Sequence, residues 1–184
     1  MSDSEGANAE AAGPPRAAFI AALVLAVGTI SVILAVAATR YRTAPAAVVV
    51  VAAVPAPHAQ DPACQQLAGA LPQRLGDYTR AQLAQPAPSG AAAWQPAGAG
   101  DPVVLRCGLD RPTDFVVGSP LQVVDRVQWF EVSQDQRSTW YTVDRAVYVA
   151  LTLPQGSGPT PIQQLSELID RVLPARPIDP ARVN

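Results

Sequence analysis

Residues 126–153 read RVQWFEVSQDQRSTWYTVDRAVYVALTL, and this stretch decides the fold. β-Branched and aromatic residues dominate it, and polar clusters break it twice. The breaks fall at 134–137 and at Asp144-Arg145, both of hairpin length. Three consecutive antiparallel strands are therefore predicted, at 126–133, 138–143 and 146–153. In the last, Val147, Val149, Leu151 and Leu153 alternate with Tyr148, Ala150 and Thr152, which assigns one face to a core.

Downstream, residues 155–160 are rich in Gly, Ser and Pro and read as a loop. Thr160-Pro161 places a proline in the first turn of a helix. Ile162, Leu165, Leu168, Ile169 and Val172 then recur at helical spacing. Glu167 and Arg171 form an i,i+4 pair on the opposite side. Pro174 ends the helix, and residues 176–184 read as a frayed tail.

Upstream, Asp101-Pro102 introduces Val103-Val104-Leu105-Arg106-Cys107-Gly108, a short strand. Val103, Leu105 and Cys107 point one way, Val104 and Arg106 the other. Residues 113–124 read as a helical turn or short helix. Residues 86–100 are rich in Ala, Pro and Gly and read as loop around Trp94, and a strand is predicted near 77–83. Asp61-Pro62 starts another helix that runs to about Leu71, with Cys64, Leu67 and Leu71 on one face. Residues 46–54, with four consecutive valines, read as a strand buried on both faces. Strand, helix, several strands and helix make an α+β class. The expectation is a two-layer domain at 44–175, a mainly antiparallel sheet with two helices on one face.

The segment before the domain is of another kind. Residues 17–39 carry no charge, and 23 residues of helix extend about 34 Å, enough to cross a bilayer core. This run is predicted to be a transmembrane signal anchor. The alternative is a cleaved signal peptide and secretion, because Ala35-Val36-Ala37 has the small-residue pattern of a cleavage site. Residues 1–16 are small, acidic and aperiodic, and a disordered tail is expected.

Thirteen basic residues, all arginine, face fifteen acidic ones, for a net charge of −2. Neither residues 1–42 nor the remainder has a basic field, which excludes nucleic acid as a partner. Arg16 on one side of the span and Arg40 and Arg42 on the other tilt the charge rule toward an inside C-terminus. The two cysteines argue the other way. Cys64 and Cys107, both on packing faces, suit one disulfide in an exported domain at the outer side of the plasma membrane; two free buried thiols are the alternative.

No catalytic set emerges. His58 is the one histidine, and no nucleophile motif accompanies it. The pairs Asp110/Asp114 and Asp101/Asp110 are the acids available for acid–base work, with Asp125 beside them. Two cysteines and one remote histidine do not make a zinc site, and no cofactor is expected. The candidate binding surface is Trp94, Asp101, Arg106 and Trp129, an aromatic anchor with an arginine fork for a carboxylate or phosphate. The plainer reading pairs Arg106 with Asp101 and packs the tryptophans in the core.

Ala93-Trp94, Asp101-Pro102 and Leu105-Arg106-Cys107-Gly108 together resemble a family of actinobacterial membrane-anchored exported proteins, DUF3515-like and of unknown function. Cys64 followed by Leu71-Pro72, and Val127-Gln128-Trp129, are similar to that family too. The resemblance covers residues 44–173. It implies an exported envelope domain with a disulfide, and supplies no reaction or substrate. Gln95 stands where the family often has glycine.

Three functions follow as expectations. The first is a non-catalytic binding or accessory module of the cell envelope, with an envelope component or membrane protein as partner. The second is a carboxylate-dependent cell-wall hydrolase or transferase. The third is a subunit of a membrane complex that touches its partner through the span, where Gly28, Thr29 and Ser31 allow close approach.

Overall fold

A computed structural model describes residues 16–42, 48–134 and 137–182; the predicted disordered tail lies outside them except for Arg16. The chain forms two units, residues 1–45 and 46–184. The first is a helix, α1 (Arg16–Arg42). Its stretch Phe19–Ala37 is long and apolar enough to cross a membrane. The large side chains along it, from Phe19 to Val36, are exposed.

The second unit holds β1 (Val48–Val49), α2 (Pro62–Ala70), β2 (Arg74–Leu75), β3 (Tyr78–Arg80), β4 (Gln82–Leu83), β5 (Ala91–Pro96), β6 (Val103–Leu109), β7 (Gln122–Val124), β8 (Val127–Gln134), β9 (Arg137–Thr142), β10 (Tyr148–Pro154) and α3 (Thr160–Val172). Eight strands form one sheet in the order β2-β3-β5-β6-β10-β9-β8-β7, and every pairing in it is antiparallel. It consists of two meanders, β2-β3-β5-β6 and β7-β8-β9-β10, joined only where β6 meets β10. The small parallel pair β1-β4 stands apart.

The sheet curls around α3. The Gly76 N–H, in the β2–β3 turn, donates to Gln164 Oε1 at 2.9 Å. The Trp129 indole, on β8, donates to Ser166 Oγ at 2.9 Å. Gln164 and Ser166 are separated by about 3 Å of helix rise, whereas β2 and β8 lie six strands apart, about 29 Å in a flat sheet. Both ends reach one helical turn only if the sheet bends toward it. The inner face carries the main core: Trp94, Val103, Leu105, Cys107, Val127, Trp129, Val149 and Leu151 pack with Leu67 of α2 and with Ile162, Leu165, Leu168 and Ile169 of α3.

Four local expectations change. Among the described residues of the expected 46–54 strand, only Val48–Val49 is strand; Val49 is buried and Val50 is 83 % exposed, because the segment has protein on one side only. Within the expected loop 86–100, Ala91–Pro96 is an internal strand between β3 and β6. Alanine favours strands weakly, but pairing on both edges overrides that preference. Residues 113–124 contain no helix among the described residues. Phe115 instead anchors a loop by packing on Phe130, and Gln122–Val124 adds a strand to the sheet edge. The C-terminal segment read as frayed is hydrogen-bonded: Arg176 N–H donates to Asp144 O, Ala181 N–H to Phe115 O, and Val117 N–H to Ala181 O.

Cys64 and Cys107 form a disulfide with Cα atoms 5.6 Å apart, fastening α2 to β6. The adjoining Gly108 has φ +88°, and a Cβ there would run into the backbone of His58 and Ala59. Only glycine lets that chain pass so close. A buried charge network closes the β9–β10 turn. Arg145 Nη1 meets Asp144 Oδ2 at 2.9 Å, and Arg145 Nη2 meets Asp170 Oδ1 of α3 at 3.4 Å. The Arg145 side chain is fully buried.

Candidate functional site on the outer sheet face

Register places two lateral rows on the outer face, away from the helices. One runs Ala91–Arg106–Ala150–Tyr141–Phe130 across β5, β6, β10, β9 and β8. The next runs Ala93–Val104–Thr152–Thr139–Val132. Side chains within a row are neighbours. Alanine on both sides of Arg106 leaves room for its long side chain to lie across the sheet.

Two coverings border this face. Residues 49–58 follow β6: Val49 and Val51 cluster with Ala93 and Val104, Ala52 O lies 3.4 Å from Arg106 Nη2, and His58 N–H donates to Gly108 O. On the other side the 110–121 loop lays Phe115 on Phe130, ring centroids 5.4 Å apart. On the outer face opens a trough of about 600 Å3 lined by Asp101, Val132, Gln134, Arg137, Thr139, Tyr141 and Thr152. The Thr139 and Thr152 hydroxyls are 3.1 Å apart. Arg137 Nη2 donates to Asp101 Oδ2 at 2.8 Å at its rim.

Arg106 and Tyr141 set the electrostatics. Burial lowers the Arg106 pKa, and Tyr141 acts weakly in the other direction. Burial raises the Tyr141 pKa; Arg106 opposes that shift and Asp114 adds to it. The buried Arg106 Nε has no hydrogen-bond partner among the described residues.

The four residues predicted as a binding surface separate into two groups. Trp94 and Trp129 are fully buried on the inner face. The Trp94 indole donates to Pro72 O at 2.9 Å, and Arg80 lies over its ring at 4.8 Å. Alternation puts both tryptophans opposite Arg106, so they belong to the core and not to a surface. Asp101 and Arg106 do lie toward the outer side, but Asp101 pairs with Arg137 rather than Arg106. Sequence reading missed Tyr141, Thr139 and Thr152. Alternation within β10 puts Thr152 on the face of Ala150, and alternation within β9 groups Thr139 with Tyr141; the register between the two strands joins them.

Of the remaining candidates, His58 and Asp110 line one small cleft with Asp61, whereas Asp114 and Asp125 do not line it. Asp110 and Asp114 lie in the loop after β6, and Asp125 in the β7–β8 turn, with φ +53°. His58 Nδ1 is 3.2 Å from Asp61 Oδ2 beside this cleft of about 210 Å3. No cluster of three metal-ligating side chains occurs among the described residues. On α1, Thr29 Oγ1 donates to Ala26 O and Ser31 Oγ to Val27 O, each at 2.9 Å. Those hydroxyls are satisfied within their own helix.

Comparison with curated proteins and with solved structures returns no match. A family model described as "Protein of unknown function (DUF3515)" matches residues 23–178, a span that includes most of α1, both cysteines and the whole outer face. The chain belongs to the DUF3515 family.

Proposed function

We propose that this protein is a membrane-anchored binding or accessory module of the cell envelope, with its folded domain outside the membrane. The reading is carried by one observation, the buried Cys64–Cys107 disulfide behind a long apolar helix. Structural disulfides persist in oxidising compartments and are rare in the cytosol. The Phe19–Ala37 segment serves as an anchor if it is retained, and as a signal peptide if the chain is cut after Ala35-Val36-Ala37. A binding role is favoured over a carboxylate hydrolase because Asp101 is engaged by Arg137 and Asp61 by His58, and Asp125 lies on a separate turn.

Thiol labelling tests this reading. Intact and lysed cells are treated with a membrane-impermeant alkylating reagent, each with and without prior reduction. The expected result is labelling that requires reduction but not lysis. Labelling that requires lysis but not reduction overturns both export and disulfide. The mass of the membrane-associated chain separates an anchor from a cleaved leader.

A further inference from the structure

Of the three tryptophans, Trp140 is placed differently from the other two. The Trp94 and Trp129 indoles are buried and donate within the fold, to Pro72 O and Ser166 Oγ, each at 2.9 Å. Trp140 is half-buried; its indole N–H has no partner among the described residues and stays open to solvent. Its ring packs against the main core and also lines a cleft of about 340 Å3. Register accounts for the position of this cleft. Trp140 lies beside Leu151 and Glu131, and Ser138 beside Leu153 and Ser133, on the parity of the core face. The β10–α3 loop adds Gln155 and Ser157. One aromatic ring and four uncharged polar side chains, Ser133, Ser138, Gln155 and Ser157, thus line one opening.

We propose that this cleft binds a neutral pyranose saccharide, the Trp140 ring taking the C–H face of a sugar and its indole N–H, Ser138, Gln155 and Ser157 taking hydroxyls. The negative face of an aromatic ring attracts the polarised C–H bonds on one side of a sugar, and hydroxyls and amides donate and accept as sugar hydroxyls do. The charge argues for a neutral ligand. Among the described residues Arg137 is the one ionic side chain lining the cleft, and its Nη2 is held by Asp101 Oδ2 at 2.8 Å. Ser133 Oγ donates to Glu131 Oε1 at 2.9 Å, which brings a carboxylate to the margin and disfavours an anion. The lining argues against a peptide. Proline-rich segments dock in grooves lined by several aromatics, and Trp140 is the only aromatic lining this cleft among the described residues. Trp140 and Ser138 stand on β9, which is paired on both edges, so no strand can add beside them. The volume lies at the small end of the usual range for small-ligand sites, roughly 300–1,000 Å3.

This inference rests on the reading of the domain as a binding module. The test titrates the full chain, in micelles of a detergent without a sugar headgroup, with cellotriose, sorbitol, a galacturonic acid trisaccharide and decaproline. Calorimetry reads the affinity. Iodide quenching of tryptophan fluorescence reads the place, because Trp140 is open to solvent while Trp94 and Trp129 are fully buried. Cellotriose, with a C–H face on each ring, is expected to bind and to protect Trp140 from iodide. Sorbitol, with hydroxyls but no ring face, should bind about tenfold more weakly, and the acidic trisaccharide no more tightly. Trp140→Phe keeps an aromatic ring against the core and removes the indole N–H; it should weaken cellotriose about threefold to tenfold. Gln155→Ala, in the exposed loop, should weaken it severalfold and decides the matter if Trp140→Phe does not fold. No binding of cellotriose, binding without protection of Trp140, equal affinity for sorbitol, tighter binding of the acidic trisaccharide or of decaproline, or unchanged affinity in a folded Trp140→Phe overturns the proposal. A domain that passes the thiol-labelling test and fails this one keeps its envelope role and loses only the saccharide.

Discussion

The Trp129 indole nitrogen and the Ser166 hydroxyl meet at 2.9 Å with both residues at 0 % exposure. The bond joins β8 to α3 through the middle of the core. Ser166→Ala leaves a buried N–H with nothing to receive it. The expected cost is about 1–3 kcal/mol, read as a lower urea midpoint with an unchanged slope.

Arg145 and Asp144 should behave differently from each other's joint removal. Arg145→Met alone strands the buried Asp144 without its cation, while Asp170 keeps Arg126 at 2.7 Å, and should cost about 3–5 kcal/mol. Replacing Asp144 and Arg145 together should cost less than the sum of the single changes. A double-mutant cycle from denaturant titrations measures the difference. Strict additivity would show that the pair is not coupled.

The disulfide encloses 43 residues of sequence separation. Replacing both cysteines by alanine releases that loop in the unfolded chain, an expected loss of about 4 kcal/mol in the chain-entropy description. Denaturant titration of the double variant against the oxidised protein reads it directly.

Two glycines with similar backbone angles should respond unequally to alanine. Gly108 (φ +88°) faces the His58–Ala59 backbone, while Gly156 (φ +79°) faces open space. Gly156→Ala carries only the left-handed penalty, about 1 kcal/mol. Gly108→Ala carries a backbone collision as well and should lower the melting temperature by clearly more. Equal losses would contradict the close approach.

Alkaline stability should track Tyr141 and Tyr148. Both phenols have pKa values raised above the ordinary 10.0, chiefly by burial. The unfolded chain therefore ionises first as pH rises. Their contribution is fully present below pH 10 and is lost as pH climbs toward the folded values. Stability measured from pH 9 upward should fall, and Tyr141→Phe should flatten part of that fall. Absorbance titration of the variant should lack one late-ionising phenol.

Much of the fold could be read from periodicity. The β8-β9-β10 meander, the two helices and their buried stripes follow from alternation and helical spacing at Val147–Leu153 and Ile162–Ile169. β5 was hidden because Ala91-Ala92-Ala93 carries little strand preference; its conformation comes from β3 and β6. The valine run at 48–51 was misleading for the opposite reason: strong local preference met only one short partner, β4. At the candidate site, parity within β6 separated Arg106 from the core. Trp94 and Trp129 read from sequence alone as either surface anchors or core, because aromatic residues suit both, and register settles them in the core. Tyr141, Thr139 and Thr152 come together through the pairing of β9 with β10, which a single strand does not express.

The β6–β10 seam has a kinetic consequence. Each meander joins neighbours in sequence, so its loops are short and close at little entropic cost. The seam pairs Cys107 with Val149 and Leu105 with Leu151, across the whole second meander. It is the pairing of longest sequence separation between internal strands, and such contacts set the pace of folding. Two half-sheets able to form early must wait for this one junction before the core around α3 is closed. Arg106 and Tyr141 lie on opposite sides of that junction, so their shared surface exists only once folding is complete.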